Sequence, residues 1–353
     1  MRGVRGLVIA LIVVGLAAAV YLGGAISKKA ALSINSDPAE QKVALNDQEA
    51  GETPYFSDQL DGGDAVVRFG DFNQKVRLTA GALTVVNWVL GPSEIFSSGE
   101  VVWFSESSTG TELLVITKPI AEVFFDGESL GDAPLSKPVE PGEYDLELKK
   151  TGYFSRRFKV SIREGFRLNV SANLALNPFP ADSSKLASPN QKLTVWDLSA
   201  SQPILSADPT LWVRGVSFWA SRADQEVQYD FFLTAEGKLY DAEGSEVSLD
   251  SLSRTDEKHT LGYLGSDKGL SSAARKTLGL VADKLYPAPP QVKILETGLG
   301  FLRVRSGAGT SFSEIGKAKP GEKYQYLGKQ GDWFKIDFKG KEGWVSAEYA
   351  RKL

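Results

Sequence analysis

The chain holds one histidine, His259, and no cysteine, which removes most of the chemistry a site could perform. Without cysteine there is no disulfide, no thiolate metal site, no cysteine nucleophile and no cysteine-linked lipid. One histidine cannot make a two-histidine metal site, and any Ser-His-Asp triad would have to use it. His259 stands in Asp256-Glu257-Lys258-His259-Thr260, a charged run that reads as a solvated loop. Gly298-Leu299-Gly300 and Gly307-Ala308-Gly309 are not a phosphate-binding fingerprint, because neither opens a helix. Carboxylate pairs, as in glycoside hydrolysis, stay open among 44 Asp and Glu. The expectation is no metal, no cofactor and no catalytic residue.

A chain this poor in reactive groups acts through surfaces, which its folded elements must position. Its 353 residues suffice for two to four domains at roughly 100 to 200 residues each. With 42% hydrophobic and 24% charged residues, each can bury a core. The formal net charge of -4 hides an asymmetry: residues 30–110 carry 4 Lys/Arg against 12 Asp/Glu, or -8, and residues 291–353 carry 12 against 7, or +5. Such an imbalance concerns partners, not fold, and nothing in it calls for nucleic acid.

Residues 6–26, GLVIALIVVGLAAAVYLGGAI, are 21 residues without a charge. At about 1.5 Å per residue they just cross a hydrocarbon layer of about 30 Å. Arg2 and Arg5 precede them and Lys28 and Lys29 follow. A cleaved signal peptide has a shorter apolar core, so the expectation is a retained anchor in the lipid bilayer within residues 1–29. The positive N-terminal flank stays cytoplasmic, which places the bulk of the chain outside the cell membrane.

Two stretches repeat one plan. Leu32 to Pro38 is followed by VALNDQEAGETPY, and Leu113 to Pro119 by VFFDGESLGDAPL; Pro38 and Pro119 lie 81 positions apart. Each has alternating apolar residues, a turn at Asn46-Asp47 or Asp126-Gly127, then Gly51-to-Pro54 or Gly131-to-Pro134, and a second turn at Gly62-Gly63 or Pro141-Gly142. Alternation with turns at this spacing predicts two small antiparallel β-sandwiches, residues 30–110 with a connector and residues 111–176. The second copy resembles the PEGA domain family through Pro119, Ala121, Val123, Asp126-Gly127, Gly131, Pro134, Pro141-Gly142 and Gly152-Tyr153. The first copy is looser. Both lack the Glu-Gly of the name-giving motif, with Ile120 or Ala39-Glu40 there, and the first lacks the Gly-Tyr. The resemblance implies an extracytoplasmic spacer or carbohydrate-associated adhesion module, without catalysis.

After the proline-rich linker 287–290, residues 291–353 alternate in short strands joined by glycine turns, as in a small five-stranded barrel. The carrying residues are Leu302, Val304-Arg305-Ser306-Gly307, Ile315-Gly316, Pro320-Gly321, Trp333, Gly340 and Gly343-Trp344-Val345, with Tyr349 closing the barrel. They resemble the bacterial Src-homology-3 family, with Arg303 departing from its pattern. Members of that family commonly bind peptidoglycan peptides. The resemblance implies a ligand site at a loop rim, formed by Trp333 after the turn Gly331-Asp332, with Asp332, Phe312 and Tyr349. Trp344 is expected as framework.

Between the recognisable parts, residues 177–192 are rich in Pro, Ser and Asn and read as a linker. Residues 193–286 read as a mixed α+β segment: Trp196, Trp212 and Trp219 stud β-like runs, and turns fall at Glu236-Gly237 and Glu243-Gly244. A helix starts near Ser271, presents Leu270, Ala274, Leu278, Val281 and Leu285 on one face, and stops at Pro287. The whole is expected to be a mainly β, multidomain, membrane-anchored envelope protein whose modules act as a stalk and whose terminal barrel binds peptidoglycan or its stem peptides. The alternatives are a scaffold for another envelope protein and a wall-directed enzyme with its catalytic domain in 193–286.

Overall fold

The computed structural model describes residues 29–353 except 109, 201 and 223–226. The expected membrane span, residues 6–26, lies outside the described residues. Among those described, no helix is long and apolar enough to cross a membrane. The chain is mainly β and forms two compact units, one of residues up to 249 with 257–278, the other of 250–256 with 279–353.

In the first unit the two repeats have one strand-pairing diagram. The first copy contains β1 (Lys29–Asp37), β2 (Lys42–Leu45), β3 (Gln48–Glu52), β4 (Tyr55–Asp61), β5 (Gly63–Phe69), β6 (Phe72–Leu78) and β7 (Leu83–Val89). After β8 (Ser98–Glu106), the second has β9 (Glu112–Lys118), β10 (Glu122–Phe125), β11 (Glu128–Asp132), β12 (Leu135–Pro138), β13 (Gly142–Lys149), β14 (Arg156–Ile162) and β15 (Phe166–Asn173). β1 pairs antiparallel with β4 and parallel with β7, as β9 does with β12 and β15. The four-stranded sheets β3-β2-β5-β6 and β11-β10-β13-β14 match strand for strand. The expected sandwiches were antiparallel. The parallel pairs arise because β7 and β15 close each copy after a whole second sheet has intervened, and so run alongside the strand that opened it.

The turns explain the repeat locally. Asn46 and Asp126 both have positive φ, a conformation open to Asn, Asp and Gly. Asn46 Oδ1 accepts from Val66 N at 2.8 Å, and Asp126 Oδ1 from Asp145 N at 2.7 Å. Each side chain thereby ties its hairpin turn to the neighbouring strand. The peptide bonds before Pro38, Pro54, Pro119 and Pro134 are cis.

The copies are fused rather than strung. They share one seven-stranded sheet, β12-β9-β15-β8-β7-β1-β4, centred on β8. Val101 and Trp103 of β8 pack into the first copy's core, whereas Val102 and Phe104 pack into the second's. Successive residues point to opposite faces of a strand, so the two four-stranded sheets cover opposite faces of the shared one. Since β7 and β15 both run antiparallel to β8, a half-turn about the axis of β8 relates the copies. At this axis Glu100 and Arg156 form a buried ion pair. Asn87 Nδ2 donates to Glu100 Oε1 at 2.7 Å, Asn35 Nδ2 to Asn87 Oδ1 at 2.9 Å, and Arg156 Nη1 to Ser98 Oγ at 3.2 Å.

Residues 177–192 differ from a loose linker. Asn177 N donates to Gly152 O at 2.9 Å, and β16 (Ser184–Leu186) pairs with β17 (Leu193–Asp197). The middle sheet is β16-β17-β20-β18-β19, with β18 (Phe231–Thr234), β19 (Leu239–Asp241) and β20 (His259–Leu264). β17 and β18 run parallel to β20. Trp212 and Trp219 are helical, not β: they lie on α2 (Pro209–Ala220), which follows α1 (Pro203–Ala207). Asp208 caps α2 by accepting from Leu211 N at 3.0 Å, with Pro209 at the first helical position. One core joins Val89, Phe96, Phe154, Ala175 and Leu176 of the repeats to Trp212, Val216, Trp219 and Phe232. Trp219 Nε1 donates to Phe96 O at 3.2 Å, and Trp212 Nε1 to Pro178 O at 3.0 Å. A Cβ added at Gly215 would lie 2.2 Å from Phe96 Cζ, so the ring seats directly on the helix backbone. The expected helix is present as α3 (Ser272–Leu285), with Ala274, Leu278, Val281 and Leu285 buried. Ser271 caps it, accepting from Ala274 N at 3.0 Å.

In the second unit, the strands are β21 (Gln291–Ile294), β22 (Leu302–Arg305), β23 (Glu314–Ala318), β24 (Lys323–Gln330), β25 (Trp333–Phe338), β26 (Lys341–Ser346) and β27 (Ala350–Lys352). They form one antiparallel sheet in the order β23-β22-β26-β25-β24-β21-β27. The expected closed five-stranded barrel is not formed: β23 and β27 remain edges. The sheet nevertheless curls, because Ala318 of one edge strand and Ala350 of the other share a core with Val304, Ile336 and Val345.

Candidate functional site

On the curled sheet the side-chain alternation sorts two aromatic sets. Phe334, Ile336 and Phe338 of β25 face the core with Tyr324 and Tyr326, and Val345 of β26 does likewise. Trp333 and Lys335 therefore point to the outer face, as do Trp344 and Ser346. Trp333 stands opposite Ser346 and Lys335 opposite Trp344, so the two tryptophans are diagonal cross-strand neighbours on one surface, within reach of large side chains. Both are half-buried. Lys335 Nζ lies 5.8 Å from the Trp344 ring centroid and 2.6 Å from Glu342 Oε1. Arg305 of β22 is Trp344's partner on its other side.

Of the expected site residues, Trp333 sits at the start of β25, directly after the exposed turn residue Asp332. Asp332 O accepts from Ala347 N at 2.8 Å, which ties this turn to the short helical turn Ala347–Tyr349. Tyr349 does not close a barrel. It is 37% exposed in that turn, its carbonyl accepts from Leu295 N at 2.9 Å, and its phenol is raised above the usual range by its hydrogen bond to Glu348. Phe312 lies elsewhere, its carbonyl taking a 2.8 Å hydrogen bond from Arg305 Nη1. A Cβ at Gly307 would fall 2.4 Å from the Phe312 ring, so this glycine makes room for the ring. Arg305 thus links Phe312 to Trp344, not to Trp333. Trp344, expected as framework, is half-buried on the outer face beside Lys335 and Arg305.

Residues 300–350 match the bacterial SH3 domain. Residues 112–177 match the PEGA domain. The first copy is tied to the second by the shared pairing diagram described above. The SH3 and PEGA families are non-catalytic binding domains. A 48-residue stretch, 14% of the chain, is 46% identical to a Bacillus subtilis (strain 168) protein named as an N-acetylmuramoyl-L-alanine amidase, YrvJ. An 86-residue stretch, 24% of the chain, is 33% identical to bacteriocin BCN5 of Clostridium perfringens. The chain spans 9% of the length of each of these curated relatives.

The middle segment offers little chemistry beside the SH3 domain. His259 is not in a solvated loop: it opens β20, its side chain 17% exposed, with Nδ1 3.5 Å from Asp230 Oδ2 and its ring 5.7 Å from that of Phe231. The same Asp230 Oδ2 accepts from Thr260 N at 2.7 Å, a strand-end clamp. Among the described residues, no group of three or more His, Asp and Glu could hold a metal ion.

Proposed function

We propose that this is a cell-envelope protein that binds peptidoglycan stem peptides through the outer face of its SH3 domain. The observation that carries the reading is the placement of the half-buried Trp333 and Trp344 on one outer-face ladder. Rigid aromatic surface with few rotatable bonds suits the grip of a peptide, and Arg305 beside it suits a peptide carboxylate. Asp332 and the turn of Tyr349 lie at the Trp333 end of this face, and Phe312 at the Trp344 end through Arg305. The match to a bacterial SH3 domain and the amidase named among the relatives support a wall ligand. Residues 6–26 anchor the chain in the cell membrane with the N-terminus cytoplasmic, and the fused β modules act as a stalk. Cosedimentation of the full chain with purified peptidoglycan tests the site. Trp333→Ala and Trp344→Ala should each weaken binding by about 2 kcal/mol, or roughly thirtyfold, with the SH3 fold retained. Wild-type affinity in both folded variants would overturn the assignment. Protease added to intact spheroplasts tests the topology: protection of residues 30–353 would refute it.

A further inference from the structure

A second charged surface lies on the same sheet, on strands other than those carrying the tryptophans. Lys293 of β21 stands directly opposite Lys323 of β24 on one side and Arg351 of β27 on the other. Val292 and Ile294 flank Lys293 and face the core, so all three cations project from the outer face, aligned across three adjacent strands. With strands about 4.8 Å apart, the row extends about 10 Å. Like charges directly opposite on a sheet repel, and elsewhere in the domain cations have carboxylates to hand: Arg303 meets Glu314 at 3.2 Å and Lys335 meets Glu342 at 2.6 Å. Among the described residues, Lys293, Lys323 and Arg351 have no ion pair. The carboxylate next in sequence, Glu322, is occupied by the Tyr324 hydroxyl at 2.6 Å and Lys319 N at 2.7 Å. Gln291 and Gln325, opposite one another, continue the outer face with neutral hydrogen-bonding groups.

We infer that the row Lys323–Lys293–Arg351 is a binding site for a linear polyanion of the wall, a phosphodiester-linked polymer lying across the strands. A straight row suits successive charges along a chain, and the hydrogen-bonding glutamines suit hydroxyls between them. The site goes beyond the peptide-binding reading and does not depend on it.

The test is binding of the full chain to poly(glycerol phosphate) at low salt. Wild type should bind, and the triple change Lys293→Gln, Lys323→Gln and Arg351→Gln should weaken binding about eightfold, at roughly twofold per contact. Changing three exposed lysines off the row, Lys319, Lys329 and Lys341, to Gln alters net charge equally and should leave binding near wild type. The row variant should match wild type, whatever that level is, on peptidoglycan stripped of anionic polymer, which separates this proposal from the peptide site. Failure of wild type to bind the polymer, equal loss in both triple variants, or loss of stripped-peptidoglycan binding in the row variant would each overturn it. So would row-dependent capture of phosphatidylglycerol vesicles without capture of the polymer.

Discussion

Glu100→Gln tests the core of the fused repeats. Its side chain is 2% exposed and that of Arg156 3% exposed, so neither charge has water to fall back on. Glutamine keeps the shape but only one of the two acceptor oxygens that Asn87 Nδ2 and Arg156 Nε use, so one of these donors meets an amide NH2, and the guanidinium is left buried without a counter-charge. Breaking such a pair from one side costs about 3–5 kcal/mol. Because glutamine retains a hydrogen bond, the low end, about 3 kcal/mol, is expected. For a unit of this size that lowers the midpoint by about 6–12 °C, at roughly 2–4 °C per kcal/mol. Thermal unfolding of the full chain, followed by near-ultraviolet circular dichroism, reads it through Trp88 and Trp103 of the first copy's core. Replacing both partners with apolar residues, Glu100→Leu with Arg156→Met, removes the stranded charge and should recover most of the loss, since paired apolar replacement is often neutral. A single variant within about 1 kcal/mol of wild type, far under the cost of an uncompensated buried charge, would refute the reasoning. So would a double variant as unstable as the single.

Gly215→Ala should destabilise the first unit by about 1–3 kcal/mol despite alanine's better helix propensity, measured by urea unfolding, and Phe96→Leu should relieve part of the clash in the double variant. Asp208→Ala should cost about 1 kcal/mol by uncapping α2, read from the same curves. Burial pushes the Tyr229 phenol up to about 12. Its folded value exceeds the ordinary value of about 10, so its contribution to stability is intact below pH 10 and is lost as pH rises toward 12. Burial likewise pushes Tyr324 up to about 12, so a spectrophotometric titration of the folded chain should show late-ionising tyrosines of which Tyr229→Phe removes one.

Much of the repeat is legible in sequence because its turns are chemically marked. Asn46-Asp47 and Asp126-Gly127 sit where φ is positive, and the Gly-to-Pro spacing recurs. The fusion is not legible, since it depends on β8, which belongs to neither copy's motif and carries one residue set for each face. Trp212 and Trp219 stud runs that look β-like, although Asp208-Pro209 marks a helix start and residues 212, 216 and 219 fall on one helical face. In the SH3 domain the motif fixes Trp333 and Trp344 as present, but their common face needs the β25–β26 register. The cationic row needs three strands distant in sequence, and no local pattern reveals it.

The half-turn about β8 also limits how the protein can be lengthened. Both edges of β8 are already taken, by β7 and by β15, so its pairing valence is saturated and a further copy inserted in sequence would find no central strand to join. Shortening fares no better. Deleting either copy would strip one side of β8 and expose its backbone N–H and C=O groups as an unpaired edge, the usual template for aggregation. The pair of copies is thus an indivisible unit of construction, whose span is fixed by closure and not by the number of repeats a gene could accumulate.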